Sequence, residues 1–253
     1  MTLLLGNPHF YQTQINRKRI WKPVCGVKTP LTPGAEVTIG RALALRVLEL
    51  DVQTWVQSVL NTPELPLVPE AIQCLQLAAQ EEVNHDLVLN LAAERFQDCI
   101  SSQDQHTAYQ FQAAWQSHPD HPILKAAVLE SSVFFVLLPI LRLLSGSATL
   151  RVISNDISAD ESRHASQNRQ IASDLSLTWS QTLNQLRRDT VAWLVEPLHV
   201  PSHRLGYPQV WLDASDSLLE KLEAPQLADT RRPSYIAFFE QANSGLPIYA
   251  SSS

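Results

Sequence analysis

Four glutamates and two histidines in this chain are spaced as ligands for a pair of metal ions. Glu82 precedes His85 by three positions, Glu161 precedes His164 by the same interval, and each pair has a lone glutamate upstream in an apolar stretch, Glu49 and Glu130. On a helix, residues three apart share a face, so each Glu-x-x-His offers one carboxylate and one imidazole nitrogen to a common point. Two such helices, with two more that each supply one glutamate, make an inward-facing dinuclear carboxylate site in a four-helix bundle. The intervals fit that arrangement, because the step from Glu49 to Glu82 and the step from Glu130 to Glu161 are nearly equal. At about 1.5 Å of rise per residue, either interval lets a helix pass its ligand, turn, and return to the same level along an antiparallel neighbour.

One Glu-x-x-His alone is usually a solvated pair on a helix surface. Two, each with an upstream glutamate, demand more. Glu130 in particular lies between the apolar residues 126–129 and 133–138, where a carboxylate without a cation is costly to bury. Four carboxylates at one depth repel one another unless cations neutralise them, and two divalent ions nearly cancel the charge. Mixed carboxylate and imidazole ligation suits iron or manganese better than zinc or calcium.

The order Glu, then Glu-x-x-His, repeated once, resembles the ferritin-like di-iron carboxylate superfamily, which takes in ferritins, ribonucleotide reductase radical subunits and di-iron oxygenases. The likeness covers roughly residues 36–173. It implies metal ligands at Glu49, Glu82, His85, Glu130, Glu161 and His164, two iron ions with manganese as the alternative at either position, and dioxygen as co-substrate. It also implies that Glu81 and Asp160, just before each pair, accept hydrogen bonds from the histidine of the opposite half.

These ligands need four rods to carry them. The sequence predicts an all-α, ferritin-like four-helix bundle in a single domain, with an N-terminal arm (1–32), a metal-binding core (33–174) and a C-terminal helix with an irregular docking extension (175–253). Residues 1–32 show little periodicity and read as an extended arm, pinned by Tyr11 and Trp21. A helix is expected from 33–36 to about 60, a second opened by Pro69 and running to about 96, and a short one over 105–116. A third should span 122–144 and a fourth 148–174, separated by Ser-Gly-Ser at 145–147. A further helix is expected over 180–194, with docking elements at 215–222 and at Phe238 and Phe239.

Composition narrows the field. With 253 residues, 45% hydrophobic and 17% charged, the chain has enough apolar material for one substantial core. A net charge of −6 without a basic stripe argues against nucleic acid. Three irregularly spaced cysteines, Cys25, Cys74 and Cys99, fit a reducing compartment. Residues 1–10 have no basic segment ahead of Leu3, Leu4 and Leu5, so they do not read as a secretory signal. The longest apolar stretch, 133–144, contains Pro139 and is shorter than the roughly twenty residues that cross a bilayer. A cytoplasmic protein without a membrane span is expected. His118, His121, His199 and His203 lie in proline-containing loops and read as structural.

Two ferrous ions held by carboxylates can supply electrons to dioxygen, and the surrounding pocket then decides the reaction. The favoured expectation is an oxygenase or oxidase acting on a small organic substrate, fed by an electron donor such as a reductase or ferredoxin, with Leu89, Val133 and Phe134 lining an apolar pocket one turn from the ligands. The interval from Glu130 to Glu161 also resembles that of the di-iron N-oxygenases, although Ile157 stands where they carry an additional histidine. The alternatives are a ribonucleotide-reductase-like radical subunit, in which Leu89 would stand where the radical tyrosine is usual, and an iron storage or detoxification protein. A homodimer through an outer helix face is compatible with either enzyme reading.

Overall fold

The structure, a computed structural model, describes residues 4–223, with side chains to residue 218. Every regular element among the described residues is a helix, and the only extended pairing among them is an isolated parallel bridge between Leu5 and Leu67. The helices are α1 (Pro8–Asn16), α2 (Glu36–Ala44), α3 (Glu49–Leu60), α4 (Pro69–Arg95), α5 (Ser102–Ser117), α6 (Pro122–Val128), α7 (Phe135–Leu143), α8 (Ala148–Asp174), α9 (Gln181–Val195) and α10 (Pro208–Glu223). Four begin with proline, whose missing N–H is no loss in a first turn. Serine side chains cap three others: Ser101 accepts from the Asp104 N–H at 3.0 Å, Ser147 from Leu150 at 3.4 Å and Ser180 from Leu183 at 3.1 Å.

Two of the long rods are not uniform α-helix. A 3-10 turn, Leu45–Leu48, joins α2 to α3, and a π-helical segment, Leu129–Phe134, joins α6 to α7. Each irregularity touches a candidate ligand: Glu49 is the first residue of α3, and Glu130 is the second of the π segment. The sequence predicts uninterrupted helices over both spans, because apolar periodicity does not register a one-residue change of winding. Such changes of winding gather at functional sites.

The rods close a ring: α3 packs on α4, α4 on α8, α8 on α6, and α6 back on α3. The chain reversals bring the ligands level. Glu49 opens α3 and stands nearly as far before the reversal at 61–68 as Glu82 stands after it, while Glu130 and Glu161 are equidistant from the turn that joins their rods. The core runs through this ring and is built from Leu43, Leu45, Leu48, Val52, Leu75, Leu89, Phe134, Leu137 and Ile157, among others. Residues 122–143 are apolar and long enough to cross a bilayer by length and composition, a longer run than the 133–144 stretch marked in the sequence, but here most of their surface is buried within the protein.

The N-terminal segment departs from the expected extended arm. Asn7 accepts from the N–H groups of His9 and Phe10, Pro8 supplies the first turn, and α1 forms and packs on α4 and α8. Residues 18–33 carry no regular structure beyond a turn at their end. On the far side, α9 and α10 pack on each other and on the π segment. Helix α10 is longer than the 215–222 element expected, and Phe238 and Phe239 lie outside the described residues.

Candidate metal centre

All six predicted ligands are fully buried: Glu49, Glu82, His85, Glu130, Glu161 and His164 each expose none of their surface. Ligand atoms of Glu82, His85, Glu161 and His164 lie within 4.8 Å of one another, and these four could hold a metal ion. The two imidazoles turn Nδ1 inward. His85 Nδ1 lies 3.2 Å from Glu82 Oε2, 3.0 Å from Glu161 Oε1 and 3.7 Å from Glu49 Oε2. His164 Nδ1 lies 2.8 Å from Glu82 Oε1 and 3.9 Å from Glu161 Oε1. Electrostatic coupling ties Glu130 to Glu161, His164 and Glu82, and Glu49 to Glu82, Glu161 and His85. Glu49 thus adjoins His85, Glu130 interacts with His164, and each imidazole approaches both Glu82 and Glu161.

The outer nitrogens face carboxylates from the opposite half. His164 Nε2 is 2.8 Å from Glu81 Oε2, and His85 Nε2 is 3.4 Å from Asp160 Oδ2. A carboxylate at Nε2 favours a proton there and leaves the Nδ1 lone pair free to point inward. Three residues that the ligand motif does not mark complete the surroundings. Arg163, buried, is hydrogen-bonded to Glu81. Asn168 donates through Nδ2 to both oxygens of Glu130, at 3.0 and 2.9 Å. Trp21 donates through Nε1 to Asp160 Oδ2 at 2.7 Å. Asn168 is four positions beyond His164 and therefore on the same helical face, a signal that spacing carries; nothing local marks Trp21 as a neighbour of the site.

The electrostatics without metal are strained. Burial pushes the Glu49 and Glu130 carboxyls well up, and neighbouring carboxylates push them further. Burial also raises Glu161, with the Glu82 charge adding to it. For both histidines burial favours the neutral ring, but it is outweighed, for His85 chiefly by the Glu82 charge and for His164 by the Glu81 and Glu82 carboxylates against its two nitrogens. His164 ends at about 10 and His85 well above its ordinary value. Burial pushes Glu82 up as well, but the His85 charge and the contacts with both imidazoles hold it below the usual carboxylate range.

Both oxygens of Glu49, both of Glu161, Glu82 Oε1 and His164 Nδ1 make no aligned hydrogen bond, close as some of them lie. Buried polar atoms are rarely left so. Hard oxygen donors and imidazole nitrogens that are individually unsatisfied and mutually close fit a bound cation, which would satisfy them together.

Leu89, Val133 and Phe134 are buried in the apolar core. His121 caps α6 by accepting from the Ile123 N–H at 3.2 Å, and His118 and His203 accept from backbone N–H groups in their own loops. His199 meets Tyr207 edge-on. Compared with known protein families and with curated proteins, the chain matches none.

Proposed function

We propose that this protein is a di-iron carboxylate oxidoreductase of ferritin-like architecture that uses dioxygen to oxidise or oxygenate a small organic substrate. The observation that carries the reading is the set of fully buried, unsatisfied carboxylate oxygens that converge with two imidazoles at one level of a ring of four helical rods. Glu49 with His85, and Glu130 with His164, would each serve one ion, with Glu82 and Glu161 completing the ligand set. When bound, a pair of ferrous ions supplies electrons to dioxygen and lowers the barrier to its reduction.

The protein's own groups have separable tasks. Glu81 and Asp160 keep each imidazole in the tautomer that presents Nδ1. Asn168 fixes Glu130 until a cation competes for its oxygens. Leu89, Val133 and Phe134 keep water from the site, which strengthens every electrostatic interaction inside. Leu89 is an apolar core residue, which disfavours a radical-storing role in which a tyrosine would stand there. An external electron donor, a reductase or ferredoxin, would feed the site between turnovers.

The test is anaerobic loading with ferrous iron followed by exposure to air, with optical and electron paramagnetic resonance spectra, and Glu130→Ala as control. Uptake of about two irons per chain, as such a site holds, followed by a spectral change on aeration that Glu130→Ala lacks, supports the reading. Substrate-dependent oxygen consumption with a reductant identifies the oxygenase, and a stable organic radical would favour the radical subunit. Wild-type protein that takes up no iron ends the proposal.

A further inference from the structure

The two imidazoles are buttressed from different sources. Behind His164 stand Glu81 and Arg163, both carried by rods of the ring: Arg163 Nη2 bonds to Glu81 Oε2, the oxygen that faces His164 Nε2. Behind His85 stands Asp160, whose Oδ2 accepts from Trp21 Nε1 at 2.7 Å and faces His85 Nε2 at 3.4 Å. The Trp21 ring also lies nearly parallel to the His85 ring, with centroids 6.0 Å apart and planes 18° apart. Trp21 belongs to no helix. It sits in the irregular segment 18–33, tied to α8.

Besides Trp21, the segment is attached at several points. Arg19 pairs with Asp156 at 3.2 Å, Lys28 pairs with Asp98 at 2.5 Å, the Thr149 hydroxyl donates to the Val27 carbonyl at 2.8 Å, the Thr32 N–H donates to the Ser145 carbonyl at 2.9 Å, and Cys25 and Leu31 pack against the core. Arg19 is half exposed, so its ion pair contributes little. Ile20, Val24 and Val27, which flank Trp21, point into solvent. Trp21 is the residue of this segment that reaches the metal site, through Asp160 and the face of His85. Asp160 Oδ1 has no hydrogen-bond partner and lies 3.8 Å from Arg163 Nη2, so the hydrogen bonds that aim Asp160 run through Oδ2.

Resting on the metal-centre reading, we propose that Trp21 is a positioning residue for His85, and that through it the N-terminal segment controls the occupancy of one of the two metal positions and not the other. With Trp21 in place, Asp160 is aimed at His85 and the imidazole is held for ligation. With the segment lifted, Asp160 loses a donor, His85 loses its stacked cover, and water reaches that half of the site. The His164 half keeps its buttress because Glu81 and Arg163 do not move with the segment. Linkage is reciprocal: if Trp21 favours metal at His85, metal at His85 must hold the segment down by the same factor.

The experiment titrates the metal-free full chain with cobalt(II), by calorimetry and by its visible absorption bands, in wild type, Trp21→Phe and Glu81→Gln. Trp21→Phe keeps an aromatic ring and removes the N–H. Loss of a group that orients a metal-bound histidine costs roughly 10- to 100-fold in affinity. Wild type is expected to bind in two steps, Trp21→Phe to weaken one by that factor, and Glu81→Gln to weaken the other. A second readout is trypsin, whose sites in and beside the segment are Arg17, Lys18, Arg19 and Lys28 but not Lys22, since Pro23 follows. Cobalt should slow these cuts in wild type and leave them unchanged in Trp21→Phe. If Trp21→Phe weakens both steps alike or neither, or if cobalt does not alter cleavage in wild type, the inference is overturned. Wild type that binds no cobalt at all overturns the metal centre, and this inference with it.

Discussion

At the scale of single residues, the buried cluster is a charge-balance problem, which protons relieve in the metal-free protein and cations would relieve under the proposed reading. Glu49 and Glu130 are pushed up toward the neutral acid, while His85 and His164, at about 10 for the latter, are pushed toward imidazolium. Metal ligation requires the opposite states, carboxylate and neutral imidazole. Loading a divalent cation near neutral pH should therefore release protons, and affinity should fall as pH drops from about 8 toward about 6 because protons and metal compete. Calorimetry in buffers of different ionisation enthalpy measures the release. An uptake of protons, or none, would contradict the assigned protonation states. Asn168 presents a smaller test. It donates to both Glu130 oxygens, so Asn168→Ala should lower the stability of the metal-free protein by about 1–3 kcal/mol. Thermal melts of the metal-free form read this directly.

At the scale of elements, the two changes of winding lie at Glu49 and Glu130, and the N-terminal helix packs on the two rods that carry the other ligands. Helix α1 docks through Tyr11, fully buried, whose hydroxyl donates to Asp174 at 2.5 Å at the end of α8. Burial first, then that bond, pushes the phenol well above its ordinary value. Its folded pKa therefore exceeds the unfolded value of about 10, so its contribution is complete below that pH and lost as pH rises beyond it. Tyr11→Phe should cost about 1–2 kcal/mol near neutrality and remove the extra loss of stability above about pH 10, as read by urea titrations at the two pH values. Gly34 ties the start of α2 to the segment after α9. Its φ is +86°, and a Cβ would come within 2.0 Å of the His199 carbonyl oxygen, so both conformation and space require glycine. Gly34→Ala should destabilise the protein by more than about 1 kcal/mol in a urea titration, through strain and the displaced backbone of residue 199.

On the scale of the whole molecule, the proposed metal centre would link metal binding to the stability of the fold. Cations that bind the folded protein and not the unfolded chain raise its stability by mass action, about 2.7 kcal/mol at a hundred times the dissociation constant. Removing metal with a chelator should lower the melting temperature, and re-adding ferrous iron or manganese(II) should restore it, by differential scanning calorimetry. The helices α9 and α10 bear on the same centre from outside. Ser215 of α10 donates to the Ser132 carbonyl in the π segment at 3.2 Å, and Arg187 of α9, buried, donates to Ser215 at 2.7 Å. The C-terminal helices thus brace the turn of winding that carries Glu130.

Much of this arrangement is legible in the linear order of residues. Glu-x-x-His spacing, an apolar surround for Glu130, prolines at helix starts and serines at caps are local signals, so α4, α5, α8 and α9 and the convergence of Glu82, His85, Glu161 and His164 follow from them. The irregular winding at 45–48 and 129–134 does not, because it costs one hydrogen-bond register and leaves the apolar pattern unchanged. Nor do Trp21 against Asp160, Arg163 behind Glu81, or Ser215 against Ser132, pairs whose members lie far apart in the chain. Spacing along a helix determines which side chains share a face; only packing of one rod against another decides which distant donor satisfies a buried acceptor, and that choice exists in three dimensions alone.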